Sequence, residues 1–286
     1  MSTDRTLPGQ PVRHATVARI LAVRGPAATV REDHLVGEEP MEIRAAGPGQ
    51  EPVSVAVTMR TPGFEAELAV GFLHTEGLIG IDEVVGVEFA DPAEAAQPDD
   101  IVLVRLRRPF DPSLAAERHF VATASCGICG KATLDEVEVR CAPLPPGPVV
   151  GRAVLLDLPA RLRAAQPVFD HTGGVHAAGL FDPAGRLVSL HEDVGRHNAL
   201  DKLVGEQLLA GRMPLHDRIL LVSGRASFEI VQKAAVAGIP IVCAISAPSD
   251  LAAEAAGRLG VTLVGFLRGD GFNVYAHPER IELAER

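Results

Sequence analysis

Between residues 219 and 267 the chain alternates short apolar runs with helical stretches, and this alternation restricts the fold more than any other feature. Ile219–Val222 is wholly apolar, residues 228–237 carry helical spacing, residues 239–245 are again apolar, residues 250–259 read as a helix and residues 261–267 as a strand. A strand with no polar face must be covered on both sides, and a helix between two such strands is the connection that parallel neighbours need. The second half is therefore expected to form parallel βαβ units with helices covering the sheet. Residues 177–181 and 187–191 flank the turn Asp182-Pro183-Ala184-Gly185 and predict a β-hairpin, with a helix over residues 197–209.

Pro143, Pro145, Pro146 and Pro148 crowd the segment before residue 150. Such a run fits neither a helix interior nor a central strand, so a boundary is expected there, with one region over residues 1–150 and a second over 151–286. In the first region the short runs at 53–59, Val84–Phe89 and Ile101–Leu106 read as strands. A helix over 64–75 interrupts them, with Leu68, Phe72 and Leu73 at helical spacing and Gly77 as its stop. That region is expected to be α+β.

With 286 residues, 47% hydrophobic and 22% charged, the chain is expected to be globular, and four cysteines are too few for a disulfide scaffold. The charge-free stretch 234–249 is broken by Gly238, Pro240, Ser246 and Pro248, short of the roughly 20 apolar residues of a membrane span. Residues 1–11 are polar and lack the apolar core of a secretion signal, so a cytoplasmic protein with reduced thiols and no membrane partner is expected. A net charge of −10 argues against general nucleic-acid binding, and an anionic ligand would need local donors.

The sharpest local motif is Ser125-Cys126-Gly127-Ile128-Cys129-Gly130-Lys131, which precedes a helical stretch at 132–137. Glycine after each cysteine suits an accessible loop, and a helix N-terminus with Lys131 nearby raises the thiolate fraction, so nucleophilic sulfur chemistry is expected. Three readings compete: a structural zinc site, a thioredoxin-like redox pair, and plain structural cysteines. Cys141 and Cys243, in a Pro-rich segment and an apolar strand, read as structural.

A second feature is the polar loop after each downstream strand: Ser223-Gly224-Arg225-Ala226-Ser227, Ser246-Ala247-Pro248-Ser249-Asp250 and Arg268-Gly269-Asp270-Gly271. Parallel strands place such loops on one rim, where Ser and Gly amides and the forks of Arg225 and Arg268 suit a nucleotide-like anion. The competing reading is that Ser227 and Ser249 only cap helices and the glycines only turn the chain. A third feature is the polar knot from His191 to Asn198, followed by Asp201 and Lys202; it suits an acid/base or metal cluster as well as helix capping. The segment His171-Thr172-Gly173-Gly174-Val175-His176 likewise suits a ligand loop or a tight turn.

Taken in order, Cys126-Gly127-Ile128-Cys129-Gly130, Thr172-Gly173-Gly174-Val175-His176, Glu192-Asp193-Val194-Gly195-Arg196-His197-Asn198-Ala199, Ser223-Gly224-Arg225 and Phe266-Leu267-Arg268-Gly269-Asp270-Gly271 resemble the FdhD family of formate dehydrogenase accessory sulfurtransferases. Thr61-Pro62-Gly63, Glu67-Leu68-Ala69-Val70-Gly71-Phe72-Leu73 and Thr75-Glu76-Gly77 extend the likeness from about residue 50 to the C-terminus. The resemblance implies an α/β, cytidine-deaminase-like three-layer core with an N-terminal α+β region, and a cytoplasmic homodimer. It implies a sulfur carrier that accepts persulfide sulfur from a cysteine desulfurase. The carrier would pass that sulfur to the molybdenum cofactor, in its bis-molybdopterin guanine dinucleotide form, before insertion into formate dehydrogenase. By that likeness Cys126 carries the persulfide, Cys129 is a second thiol, and Phe266, Leu267, Arg268, Gly269, Asp270 and Gly271 contact the cofactor. Ser223, Gly224 and Arg225 join them on the rim reading.

Two other classes stand against it. A zinc nucleoside deaminase carries His-x-Glu followed by Pro-Cys-x-x-Cys; here Ala178 stands where that Glu would follow His176, and the cysteine pair precedes this histidine and lacks the proline. A non-catalytic chaperone of the cofactor, with incidental thiols, is the third.

Overall fold

The computed structural model describes residues 15–91, 97–116, 121–122 and 142–283. Strands β1 (Ala15–Arg24) and β2 (Ala27–Val36) form an antiparallel hairpin of their own. Strands β3 (Glu39–Ala46), β4 (Val53–Arg60), β5 (Val84–Phe89), β6 (Ile101–Leu106) and β7 (Val121–Ala122) follow in the first region. They build a second sheet in the order β5-β6-β3-β4-β7. Helix α1 (Glu65–Thr75) lies against it, with Leu68, Ala69, Phe72 and Leu73 packed on Met41, Ile43, Val102 and Val104. Val70 and Gly71 on the other side of α1 are buried as well, as befits a helix enclosed all round.

The second region centres on a sheet of β9 (His176–Phe181), β10 (Leu187–Asp193), β11 (Ile219–Val222), β12 (Ile241–Ala244), β13 (Thr262–Arg268) and β14 (Gly271–Ala276), in the order β10-β9-β11-β12-β13-β14. Only the central β11, β12 and β13 run parallel; β9 and β14 join them antiparallel. The expectation of a parallel sheet thus holds for three strands, and each flank is a hairpin. On one face, helices α5 (Arg196–Leu209), α6 (Phe228–Val236) and α7 (Asp250–Leu259) bury Leu180, Leu220, Val222, Val242 and Leu263. On the other, α3 (Arg152–Ala164) sets Leu155, Leu158 and Leu162 on Phe181, Ile219, Leu221, Ile241 and Cys243. Successive strand residues point to opposite faces, so an unbroken apolar strand feeds both cores at once.

The sequence reading places no element between residues 152 and 172. The structure places α3 there, with Pro159 inside it, and the short α4 (Pro167–Thr172) after it. A proline within a helix removes one backbone donor, which hides the helix from a reading that treats proline as a stop; the three buried leucines offset that loss. Helix α2 (Pro112–Ala116) and the paired short strands β8 (Val150–Gly151) and β15 (Ile281–Glu282) complete the fold. Between the two regions, α1 and α5 cross at Gly71 and Gly205, with backbone against backbone. Among the described residues no helix is long and apolar enough to cross a membrane.

Candidate functional site at the strand-end rim

The ends of β11, β12 and β13 form one continuous rim. Ala226 and Pro248 make a parallel β-bridge, the Ser249 amide donates to the Ala226 carbonyl at 3.0 Å, and the Phe266 amide donates to the Ser246 carbonyl at 3.1 Å. The three loops predicted to share a rim are thus joined by backbone hydrogen bonds.

Within the third loop, the ladder between β13 and β14 shifts register between Gly265 and Arg268, and Phe266 adopts a left-handed φ of 53°. A large side chain is rarely held there, and such strain clusters at binding sites. The guanidinium of exposed Arg268 lies 5.4 Å from the centre of the half-buried Phe266 ring, so the two form one cationic, aromatic surface. Gly269 turns the chain at φ 63°, and Asp270 is exposed beside it. Leu267 departs from the expectation. It is fully buried, with its side chain in the core beneath α3, and offers no exposed surface to a ligand.

Ser223 has structural work: its hydroxyl accepts from the Ala177 amide at 2.9 Å, while its amide donates to the Ala177 carbonyl. Arg225 is exposed. Of the two serines expected to cap helices, Ser249 does so, accepting from the Ala252 amide at 3.2 Å, whereas Ser227 makes no such bond and instead meets His197 Nε2 at 3.2 Å.

The knot from His191 to Asn198 is chiefly a joint between the two regions. Asp193 accepts from the Thr61 amide at 3.1 Å and pairs with Lys202 Nζ at 2.7 Å, and Lys202 Nζ also donates to the Thr61 carbonyl at 2.8 Å. Asn198 donates to the Met59 carbonyl and to Asp193. Nearby, Lys233 Nζ donates to Asp201 and to Thr75 Oγ1 and pairs with Glu76. Burial pushes the Lys233 ammonium down, but Asp201 and Glu76 together outweigh it and hold it above the ordinary lysine range. These buried charges are paired and hydrogen-bonded, as burial demands. His191 is held by Glu206 at 3.0 Å and meets the Phe64 ring edge-on.

The first turn of α5 presents a second polar group on the same rim. His176, half-buried at the start of β9, lies across Gly224 from Arg196: a Cβ at position 224 would stand 3.5 Å from His176 Nδ1 and 3.9 Å from Arg196 Cδ. Burial, then Arg196 and His197, hold the His176 imidazole below the ordinary histidine range against the pull of Asp193. His197 pairs with Glu229 at 2.8 Å, and that bond holds the Glu229 carboxyl down despite burial. Sequence reasoning singled out His176 but not its convergence with Arg196, because the two are neighbours only in space.

Cys126, Cys129, Lys131, Cys141 and the expected helix at 132–137 lie outside the described residues. The described chain reaches Ala122, paired in register with Thr58, whose hydroxyl reaches Asn198 Oδ1 at 3.4 Å in the first turn of α5. Cys243 is sealed in the core, and burial pushes its thiol far up, the state of a structural cysteine.

The sequence matches the FdhD/NarQ family over residues 36–282. The chain belongs to that family. The matched span takes in both sheets but only the last residue of the β1–β2 hairpin. It is similar to the sulfur carrier protein FdhD of Streptomyces avermitilis, 48% identical over 273 residues that cover 93% of this chain and 95% of the relative. The Mycobacterium tuberculosis protein of the same name is 43% identical over 281 residues, covering 94% of this chain and 96% of its own. The crystal structure of a candidate formate dehydrogenase accessory protein from Desulfotalea psychrophila matches 94% of this chain and 99% of its own, with a TM-score of 0.72 and 27% identity. The mixed α/β fold of this family is the one the chain adopts.

Proposed function

We propose that the protein is a sulfur carrier: Cys126 accepts sulfane sulfur from a cysteine desulfurase and delivers it to the molybdenum cofactor, in its bis-molybdopterin guanine dinucleotide form, before insertion into formate dehydrogenase. The observation that carries this reading is the likeness, over nearly the whole chain, to relatives named as sulfur carriers. The thiols support it. Buried Cys243 offers no thiolate, and Cys141 follows an arginine in a Pro-rich segment without flanking glycines, so the glycine-flanked pair Cys126 and Cys129 is the best placed for the chemistry.

Loading is a thiol exchange in which the Cys126 thiolate attacks the outer sulfur of the desulfurase persulfide; a new S–S bond forms at Cys126 and the desulfurase leaves as its thiolate. Delivery as hydrosulfide needs two electrons. Attack by the Cys129 thiolate on Cys126 Sγ supplies them, leaving a Cys126–Cys129 disulfide that a thiol reductant reopens. The cofactor is cargo on the rim, its phosphates and guanines meeting Phe266, Arg268 and the Gly269–Gly271 turn, with Gly224 and Arg225 beside them. Action in the cytoplasm, as a homodimer, belongs to the same reading.

The deaminase alternative loses its acid, since Ala178 is buried in the core beneath α5. The chaperone alternative keeps the cofactor and drops the sulfur. Intact mass after incubation with a cysteine desulfurase and cysteine decides between them: one added sulfur, removed by reduction, is expected on the native chain and on Cys243→Ala, and none on Cys126→Ser. Full labelling of Cys126→Ser, or stoichiometric zinc held by the pair, overturns the carrier reading.

A further inference from the structure

No residue of the β1–β2 hairpin enters the hydrophobic cores of the two regions. The hairpin meets the body at the end of β2, where the His34 ring lies 3.9 Å from that of His171 in α4 and Val36 stands against Gly174. A two-stranded hairpin left to itself is marginal in water. Its register makes the problem sharper. Leu21 faces Val30 and Val23 faces Ala28 on the side that also carries Val17, because successive residues of a strand point to opposite faces. On that side Val17, Leu21, Val23 and Val30 are each between 55% and 65% exposed. Four large apolar side chains on one side of a ribbon stabilise it only when something covers them. In the middle of the same face, exposed Arg19 stands opposite exposed Glu32.

We propose that a second copy of this chain covers this face, hairpin upon hairpin. The charges say which occupant fits and how it is turned. A two-fold axis running between the hairpins and along the strands sets β1 of one copy over β2 of the other. Arg19 of each copy then meets Glu32 of the other, and Leu21 meets Val30, so the face is complementary to itself, as a two-fold interface requires. An axis across the strands would instead lay Arg19 over Arg19 and Glu32 over Glu32. Packed sheets keep their strands nearly aligned, which the first arrangement satisfies. The inference rests on the homodimer reading for the existence of a second copy, and it adds the element that joins the two. That element lies outside the family match except for its last residue.

Sedimentation equilibrium of the full chain tests this. The native chain should dimerise with rising concentration. Arg19→Glu sets like charges over each other at both symmetry-related contacts and should weaken the dimer about tenfold or more. Arg19→Glu combined with Glu32→Arg restores opposite charges across each hairpin, so the arm keeps its own pairing. That swapped chain should dimerise with itself but not with the native chain, where every charge would meet its like. Native mass spectrometry of a mixture, with one chain isotopically heavy, should show two homodimers and no mixed dimer. Free mixing, or a dimer that Arg19→Glu leaves equally strong, overturns the hairpin interface and leaves the homodimer reading standing. A native chain that stays monomeric at every concentration overturns both. Persulfide loading at Cys126, read by mass, is independent of either result.

Discussion

Gly71 and Gly205 stand face to face where α1 crosses α5: a Cβ on Gly71 would lie 1.8 Å from the Asp201 carbonyl oxygen, and one on Gly205 would lie 1.9 Å from the Glu67 carbonyl oxygen. Both obstacles are helix backbone, which cannot step aside as a side chain can. Gly71→Ala or Gly205→Ala should therefore cost about 3 kcal/mol or more, the upper end of overpacking penalties. Urea unfolding reads this as a large fall in midpoint. An unchanged midpoint would mean that the helices do not cross this closely.

Lys202 is 1% exposed and Asp193 is fully buried, and together they hold Thr61. Lys202→Met strands a buried carboxylate and should cost about 3–5 kcal/mol. Asp193→Asn combined with Lys202→Met should recover part of that loss, because no uncompensated charge remains. A double-mutant cycle by urea unfolding checks this; strictly additive costs would argue against a coupled pair.

Burial holds the His74 imidazole below its ordinary value of 6.5, with Nδ1 3.2 Å from the Ile79 carbonyl oxygen. The unfolded chain takes up this proton near pH 6.5, and the folded chain only at lower pH. Stability should therefore fall as pH drops below about 6.5, and this contribution should level off once folded His74 also protonates. His176 adds to the same window. Glu206 and Glu229, both held below their ordinary 4.5, add a further loss as pH falls through and below that value. Urea midpoints from pH 7.5 down to 4 should trace both limbs, and His74→Gln should flatten the first. A native profile flat from 7.5 to 5.5 would contradict the assignment.

Arg268→Ala should weaken guanosine diphosphate about tenfold or more and leave persulfide loading at Cys126 intact, since each charge-assisted bond is worth roughly 1.5–3 kcal/mol. Leu267→Ala should do the reverse of a binding mutation. It empties core space under α3 at about 2–5 kcal/mol, with little effect on affinity in the fraction that remains folded. Titration and thermal melting of both variants separate the two neighbours; equal affinity in Arg268→Ala and native protein would remove the third loop from the cofactor site.

The sequence by itself determined the elements whose pattern is local. Ile219–Val222 and Asp250–Leu259 fall within the bounds that apolar runs and helical spacing predict, because a two- or 3.6-residue period is written in consecutive residues. It also determined that the polar loops meet on one rim, since parallel strands end at the same side of a sheet. Only the tertiary structure decided what those polar residues touch. Asp193 and Asn198 look in sequence like caps or a catalytic cluster, and they are tied instead to Thr61 and Met59 from the other region. Leu267 sits in a motif that reads as ligand contact, and a left-handed residue before it sends it into the core. No element is read between residues 152 and 172, yet α3 forms there around Pro159, held by three buried leucines. Periodicity says which face of an element is apolar, but the partner of a buried charge depends on which faces meet, and that is settled when distant segments pack.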